Sequence, residues 1–185
     1  AHFERLADAT DLSIIVYNVP GRTGSNIVPK TTLALARVKH IVAVKEASGN
    51  MAQVLDILSD RPEHFAVLSG DDEMTRGILA AGGDGVISVV SNATPKKMAQ
   101  LCNVGLRGDM AAAKKLHFEL LPWMRAAFIE SNPMPVKAAM AMLGRMENRL
   151  RLPLVPLDDR HVDTVRSALK TAGALSSRFR RVSRK

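Results

Sequence analysis

A single cysteine, Cys102, stands in the chain. No internal disulfide can form, so packing alone must hold the fold, which suits a reducing cytoplasm. Cys102 lies in a predicted helix and is expected to be a small buried side chain. Aromatics make up only 4% of the residues, which leaves the core to Leu, Val, Ile, Ala and the 9 Met. No apolar run is long enough to span a bilayer, and no signal-peptide pattern is read, so the expected location is cytoplasmic. The 5 His are scattered without a ligand spacing such as His-x-x-x-His. Acids at Asp71-Asp72-Glu73 open a predicted helix, where the helix dipole accounts for them without a metal. Gly82-Gly83-Asp84-Gly85 follows a predicted helix and precedes a predicted strand, the wrong order for a phosphate loop. No metal and no dissociable cofactor are expected.

What is present is ordinary for a folded body: 46% hydrophobic and 24% charged over 185 residues, enough for one domain with a real core. The net charge of +8 is unevenly placed, because residues 176–185 carry five positive charges and no acid, leaving +3 for the rest. The expectation for 176–185 is a basic, disordered, solvated tail. Clustered Arg with Phe179 is a known way to contact nucleic acid, but one short segment does not establish it.

Two short apolar runs end in reactive side chains: Ser13-Ile14-Ile15-Val16-Tyr17 and Ile41-Val42-Ala43-Val44-Lys45. Each has the length and β-branched content of a strand buried on both faces. A helix predicted over 30–38, opened by Pro29, makes them a strand–helix–strand unit with parallel strands. Parallel neighbours end on the same side of a sheet about 4.8 Å apart, so a phenol and an amine would face one pocket. A lysine at the mouth of an apolar sheet is expected to be partly desolvated, which frees amine to attack a carbonyl.

Further strands are predicted at 65–69 and 85–89, alternating with helices over 51–58, from Asp71-Asp72 to Ala81, and after Pro95; this is the pattern of a parallel α/β sheet. From about Asp109 the chain reads as helix: 110–129 with a kink at Pro122, a turn at Asn132-Pro133-Met134-Pro135 before a helix through Gly144, and a last helix capped by Asp158 or Asp159 and stopped by Gly173. Residues 152–157 are held extended by their prolines.

The motifs Tyr17-Asn18-Val19-Pro20-Gly21-Arg22-Thr23-Gly24, Val44-Lys45-Glu46-Ala47-Ser48-Gly49-Asn50, Leu68-Ser69-Gly70-Asp71-Asp72, Gly82-Gly83-Asp84-Gly85-Val86-Ile87-Ser88-Val89 and Asn132-Pro133-Met134-Pro135-Val136-Lys137 follow one another in that order. Together they closely resemble the dihydrodipicolinate synthase and N-acetylneuraminate lyase family, lysine-dependent aldolases of pyruvate. The resemblance runs to about Ala174, and Arg-Thr-Gly after Asn-Val-Pro is similar to the synthase branch.

That resemblance implies a role for each matching position. Lys45 would form the Schiff base with pyruvate, and Tyr17 would relay protons. Arg22 would hold the carboxylate of the aldehyde substrate, while Gly70 and Ile87 would line the pyruvate end through their backbones. The implied reaction condenses pyruvate with L-aspartate 4-semialdehyde to 4-hydroxy-tetrahydrodipicolinate, for lysine and diaminopimelate synthesis, in a homotetramer. The physical chemistry agrees, since a guanidinium fork suits a carboxylate and a phenol can pass a proton in a pocket that excludes bulk water. Without the resemblance, Arg22 reads as a solvated loop residue and Gly70 as a turn glycine.

A (β/α)8 TIM barrel needs eight strands and about 250 residues, yet four strands are read here. The chain opens inside a helix without a capping signal or a starting methionine. The expected architecture is therefore α/β, the second half of a TIM barrel with about four β/α units plus a C-terminal helical appendage. Residues 1–107 form the half-barrel, 108–175 the helical region and 176–185 the tail. The half that is not read would carry, by resemblance, the threonines for the pyruvate carboxylate, a second relay tyrosine across a subunit contact and the lysine-inhibition site. Two alternatives stay open: another pyruvate-dependent class I aldolase of the N-acetylneuraminate-lyase kind, or an inactive half-barrel fragment or pseudoenzyme. A half-sheet also leaves unpaired edges and an uncovered apolar face.

Overall fold

A computed structural model describes residues 1–176. Its elements run α1 (His2–Asp8), β1 (Ile14–Asn18), α2 (Pro20–Thr23), α3 (Pro29–Leu35), β2 (Ile41–Glu46), α4 (Met51–Asp60), β3 (Ala66–Ser69), α5 (Thr75–Ala80), β4 (Gly85–Val86), a 3-10 turn (Val90–Asn92), α6 (Pro95–Leu106), α7 (Met110–Ala126), α8 (Met134–Met142) and α9 (Asp159–Thr171). The tail expected at 176–185 lies outside the described residues except for Ser176.

The chain divides into two compact units. Among the described residues, one holds 1–88 and 102–113, and the other 89–101 and 114–176. The first contains a four-stranded, all-parallel sheet in the order β1-β2-β3-β4. Sequential strands joined by helical connections lie side by side, as parallel β/α units require.

Register sorts the strand residues into two faces. Val16, Val44 and Val67 are aligned partners and fully buried, packed with Leu35, Ala36, Ile57 and Phe65 in the core beneath the helices. One step towards the carboxyl ends, the same face carries Asn18, Glu46 and Ser69, also buried. Tyr17, Lys45, Leu68 and Gly85 form the matching row on the opposite face. That second face is more open, with Ile15 and Tyr17 each 45% exposed.

Local signals set the boundaries. Asn50 caps α4, its side chain accepting from the amides of Ala52 and Gln53, which satisfies two otherwise orphan donors. The helix runs two residues past the expected end, to Asp60. α3 begins at Pro29 as expected but stops at Leu35, because the chain must turn through His40 at φ 70° to enter β2. The strand expected over 85–89 pairs only at Gly85 and Val86. The Ile87 amide still donates to Ser69 O, 2.9 Å, but the backbone then coils into the 3-10 turn at Val90.

At the amino ends of β3 and β4, Arg61 makes a clamp. Its guanidinium donates to Phe65 O (3.1 Å), to Gly82 O (3.0 Å) and to the Asp84 carboxylate. Asp84 also accepts from the Val67 amide, 2.8 Å. Gly83 belongs to this corner, where a Cβ would collide with Ile78. Gly82 and Gly85 serve the turn itself, with φ 99° and 151°.

In the second unit, α8 packs on α9. Asp158 caps α9 through the Arg160 amide, and Gly173 follows it with φ 69°, as the sequence predicts. Trp123 is fully buried, and its indole N–H donates to Val90 O at 3.2 Å. α7 contains Pro122 and continues to Ala126 rather than to 129.

Candidate active site

Tyr17 is the chain's one tyrosine, and Lys45 is its register partner on the next strand. The ammonium of Lys45 stands 3.9 Å from the centroid of the Tyr17 ring. An amine and a phenol therefore meet at the carboxyl ends of adjacent parallel strands, the end where open and barrel α/β sheets place ligands. The desolvation expected from an apolar strand end is only partial, since Lys45 is half-buried and Tyr17 nearly half exposed. Both stand on the face away from the packed helices, and burial there depends on what covers that face.

Gly70 closes the third side. A Cβ at this position would lie 2.7 Å from Ala47 Cβ and 3.1 Å from Lys45 Cγ. Only glycine lets the backbone after β3 approach the lysine stem this closely. Its amide donates to Glu46 O at 2.7 Å, which ties the loop to the strand that carries Lys45. Ile87 lies one strand further, anchored through its amide to Ser69 O and 39% exposed.

Arg22 sits in α2, a single turn begun by Pro20 and ended by Gly24 at φ 69°. Its side chain is exposed and makes no hydrogen bond or ion pair among the described residues. Of the five expected site residues, Tyr17, Lys45 and Gly70 are brought together. Ile87 stands at the edge, and Arg22 is delivered on a neighbouring loop.

Sequence reasoning missed the layer behind them. Glu46 is 2% exposed. Its carboxylate accepts from Asn18 Nδ2 (3.2 and 2.9 Å to the two oxygens), from Gln53 Nε2 (3.1 Å) and from the Ser48 amide (2.7 Å). No lysine, arginine or histidine pairs with it among the described residues, so hydrogen bonds alone offset its burial. Asn18 also accepts from the Ile27 amide at 2.9 Å, and Asn26 exchanges hydrogen bonds with Gln53 (2.9 and 3.3 Å).

Cys102 is a free, half-buried thiol. Burial, and then the nearby Asp72 charge, push it above the ordinary thiol range. Among the described residues no cluster of three or more His, Cys, Asp or Glu could hold a metal, and no helix is long and apolar enough to cross a membrane.

Comparison with known proteins places this arrangement. The model of the dihydrodipicolinate synthetase family matches residues 1–172. The 4-hydroxy-tetrahydrodipicolinate synthase of Koribacter versatilis is 47% identical over 176 residues, covering 95% of this chain and 59% of that one. The synthase of the same name from Salinibacter ruber is 53% identical over 161 residues, 86% of this chain and 53% of its own. Among solved structures, the dihydrodipicolinate synthase of Thermotoga maritima aligns with TM-score 0.91 at 45% identity, over 94% of this chain and 60% of its own. The Acinetobacter baumannii enzyme, solved with pyruvate, aligns with TM-score 0.91 at 38% identity, over 94% and 60%. The chain thus spans a little over half the length of these relatives, and its parallel α/β sheet fits part of a TIM-barrel fold.

Proposed function

The chain belongs to the dihydrodipicolinate synthetase family, and from that premise we propose that it carries the Schiff-base half of a 4-hydroxy-tetrahydrodipicolinate synthase site. The observation that supports this most is the Lys45 amine beside the Tyr17 ring at neighbouring strand ends.

In this reading the neutral Lys45 amine adds to C2 of pyruvate, and the carbonyl oxygen leaves as water to give an imine. The pyruvyl methyl group then gives up a proton, forming an enamine whose terminal carbon adds to the aldehyde carbon of L-aspartate 4-semialdehyde. The substrate's amino group displaces the Lys45 nitrogen as the ring closes, so one water is released overall. Tyr17 passes the protons between these steps. Arg22 holds the semialdehyde carboxylate through two parallel hydrogen bonds. The backbone at Gly70 and Ile87 lines the pyruvate end. No cofactor is needed, because the imine itself is the electron sink.

Residues 1–107 serve as the second half of the barrel and 108–175 as its helical appendage. An N-terminal half supplies the remaining strands, the groups for the pyruvate carboxylate and the cover over Tyr17 and Lys45. The assembly is a cytoplasmic homotetramer.

Intact-mass analysis after incubation with pyruvate and borohydride, with peptide mapping, tests the reading. A reduced pyruvyl adduct on Lys45, lost in Lys45→Ala, is the expected result. A folded chain that takes up no adduct moves the assignment to an inactive half-barrel fragment or pseudoenzyme. A panel of aldehydes then tests the second substrate, and preference for a sugar aldehyde would move the assignment to the lyase branch.

A further inference from the structure

We propose that Glu46 is a positioning residue, whose buried carboxylate fixes both the Tyr17–Lys45 pair and the loop that bears Arg22; the inference rests on the function proposed above for those three residues.

Glu46 and Asn18 are register partners one step beyond Lys45 and Tyr17. Each follows the site residue directly in its strand and points to the opposite face. The two Asn18–Glu46 hydrogen bonds, 3.2 and 2.9 Å, therefore lock the backbones of β1 and β2 where Tyr17 and Lys45 leave them. Any slip or splay of these strand ends would separate the ring from the amine.

The same carboxylate reaches the loop through two intermediaries. Asn18 Oδ1 accepts from the Ile27 amide at 2.9 Å, and its Nδ2 donates to Asn26 Oδ1 at 2.9 Å. Gln53 Nε2 donates to Glu46 at 3.1 Å, to Asn26 Oδ1 at 3.3 Å and to Ile27 O at 3.4 Å. The segment between Asn18 and Ile27 is thus closed at its base, and Arg22 is carried on it. The Ser48 amide ties the loop after β2 to the other oxygen of the same carboxylate, Oε1, while Gln53 donates to Oε2.

Every recorded partner of Glu46 is a donor. A glutamine of the same shape would turn an NH2 group toward one of them, so the network fails without any loss of volume. A charged group held this far from water, with no cation beside it, would be replaced by an apolar residue at less cost if packing were its only task.

The test compares Glu46→Gln with the unsubstituted chain in two readouts. The first is the rate constant of pyruvate–borohydride labelling at saturating pyruvate. It should fall by about tenfold in Glu46→Gln, because small misplacements of reacting groups carry large rate penalties. The pyruvate concentration for half the maximal rate should change little. Simple loss of folded protein would instead lower the final extent of labelling and leave the rate constant of the remaining molecules unchanged.

The second readout is amide hydrogen exchange. Ile27 and Ser48 should exchange faster, while the interior amides of α4 and β3 keep their protection. Asn26→Ala, at an exposed position, supplies a variant that leaves the core intact; it should loosen Ile27 alone and slow labelling less than Glu46→Gln does. Unchanged exchange at Ile27 and Ser48 in Glu46→Gln overturns the inference whether or not pyruvate is trapped, and so does an unchanged labelling rate. No trapping by the unsubstituted chain, together with loosened exchange in the variant, overturns the proposed activity alone.

Discussion

The nitrogen of Lys45 lies 3.9 Å over the ring of Tyr17, its register partner on the adjacent parallel strand. The ring face attracts the ammonium, whereas attack on a carbonyl uses the free amine. A proton must therefore leave Lys45 beside the phenol. Tyr17→Phe keeps the ring and removes the hydroxyl. Its pyruvate-labelling rate should drop by about a hundredfold, within the range for a lost general acid–base group, with little change in half-saturating pyruvate. A variant that labels at the original rate would remove Tyr17 from proton transfer.

Gly70→Ala should damage the site and the fold together. The new methyl would stand 2.7 Å from Ala47 Cβ and 3.1 Å from Lys45 Cγ. Relief requires the loop to lift or the lysine stem to swing, at about 1–3 kcal/mol for overpacking. Chemical denaturation should show that loss, and borohydride trapping should show a misplaced amine. An alanine variant as stable and as reactive as the parent would mean that this loop is free to adjust.

The pairing of Tyr17 with Lys45 is legible in the sequence because each ends a β-branched run, and parallel strands bring such ends level. The buried layer behind them is not, since Asn18 and Glu46 resemble ordinary polar residues entering loops. Only the register shows that they face helices and each other. The fourth strand reads as five residues because Val86-Ile87-Ser88-Val89 has strand character, but ladder pairing stops once the chain coils into the 3-10 turn. The single turn at Pro20–Thr23 hides behind a Pro-Gly signal that reads as a loop. Only family resemblance marks Arg22, for an exposed arginine on such a turn has no physical mark of its own. How far Lys45 is desolvated depends on what covers the open face, which strand pattern does not encode.

The Arg61–Asp84 clamp should matter to stability alone. It lies at the amino ends of the strands, opposite the lysine. Asp84→Ala removes the acceptor for the Val67 amide and the partner of Arg61, a loss of about 1–3 kcal/mol for groups left without hydrogen bonds. The denaturant midpoint should fall accordingly. Labelling of Lys45, measured where the variant is fully folded, should be unaffected; a slowed rate would tie the clamp to the site.

Cys102 should be sluggish toward alkylating reagents. Burial first, and the Asp72 carboxylate second, hold its thiol above the ordinary range, so less thiolate is present at mildly alkaline pH than for an exposed cysteine. Unfolding in urea should speed the reaction. Asp72→Asn removes the negative charge and should speed it partly in the folded state. The sign for stability follows from the raised value: the folded state holds the thiol proton more tightly than the unfolded state. This contribution is complete at neutral pH and is lost as pH rises from the ordinary thiol value through the folded one. An alkylation rate equal to that of the unfolded chain would contradict this environment.

Trp123 offers a spectroscopic check on the second unit. It is the chain's one tryptophan, fully buried, with its N–H on Val90 O. Emission should therefore be blue-shifted in the native protein and move to the red on unfolding. Trp123→Phe keeps an aromatic ring but deletes the donor and part of the volume. The hydrogen bond contributes about 1 kcal/mol, and the cavity left by the smaller ring adds to the loss. Because the indole lies in a different unit from Tyr17 and Lys45, a falling denaturation midpoint should be accompanied by an unchanged rate of pyruvate labelling in the folded protein. A variant that keeps its midpoint would show that the indole N–H and its surplus volume contribute little to that core.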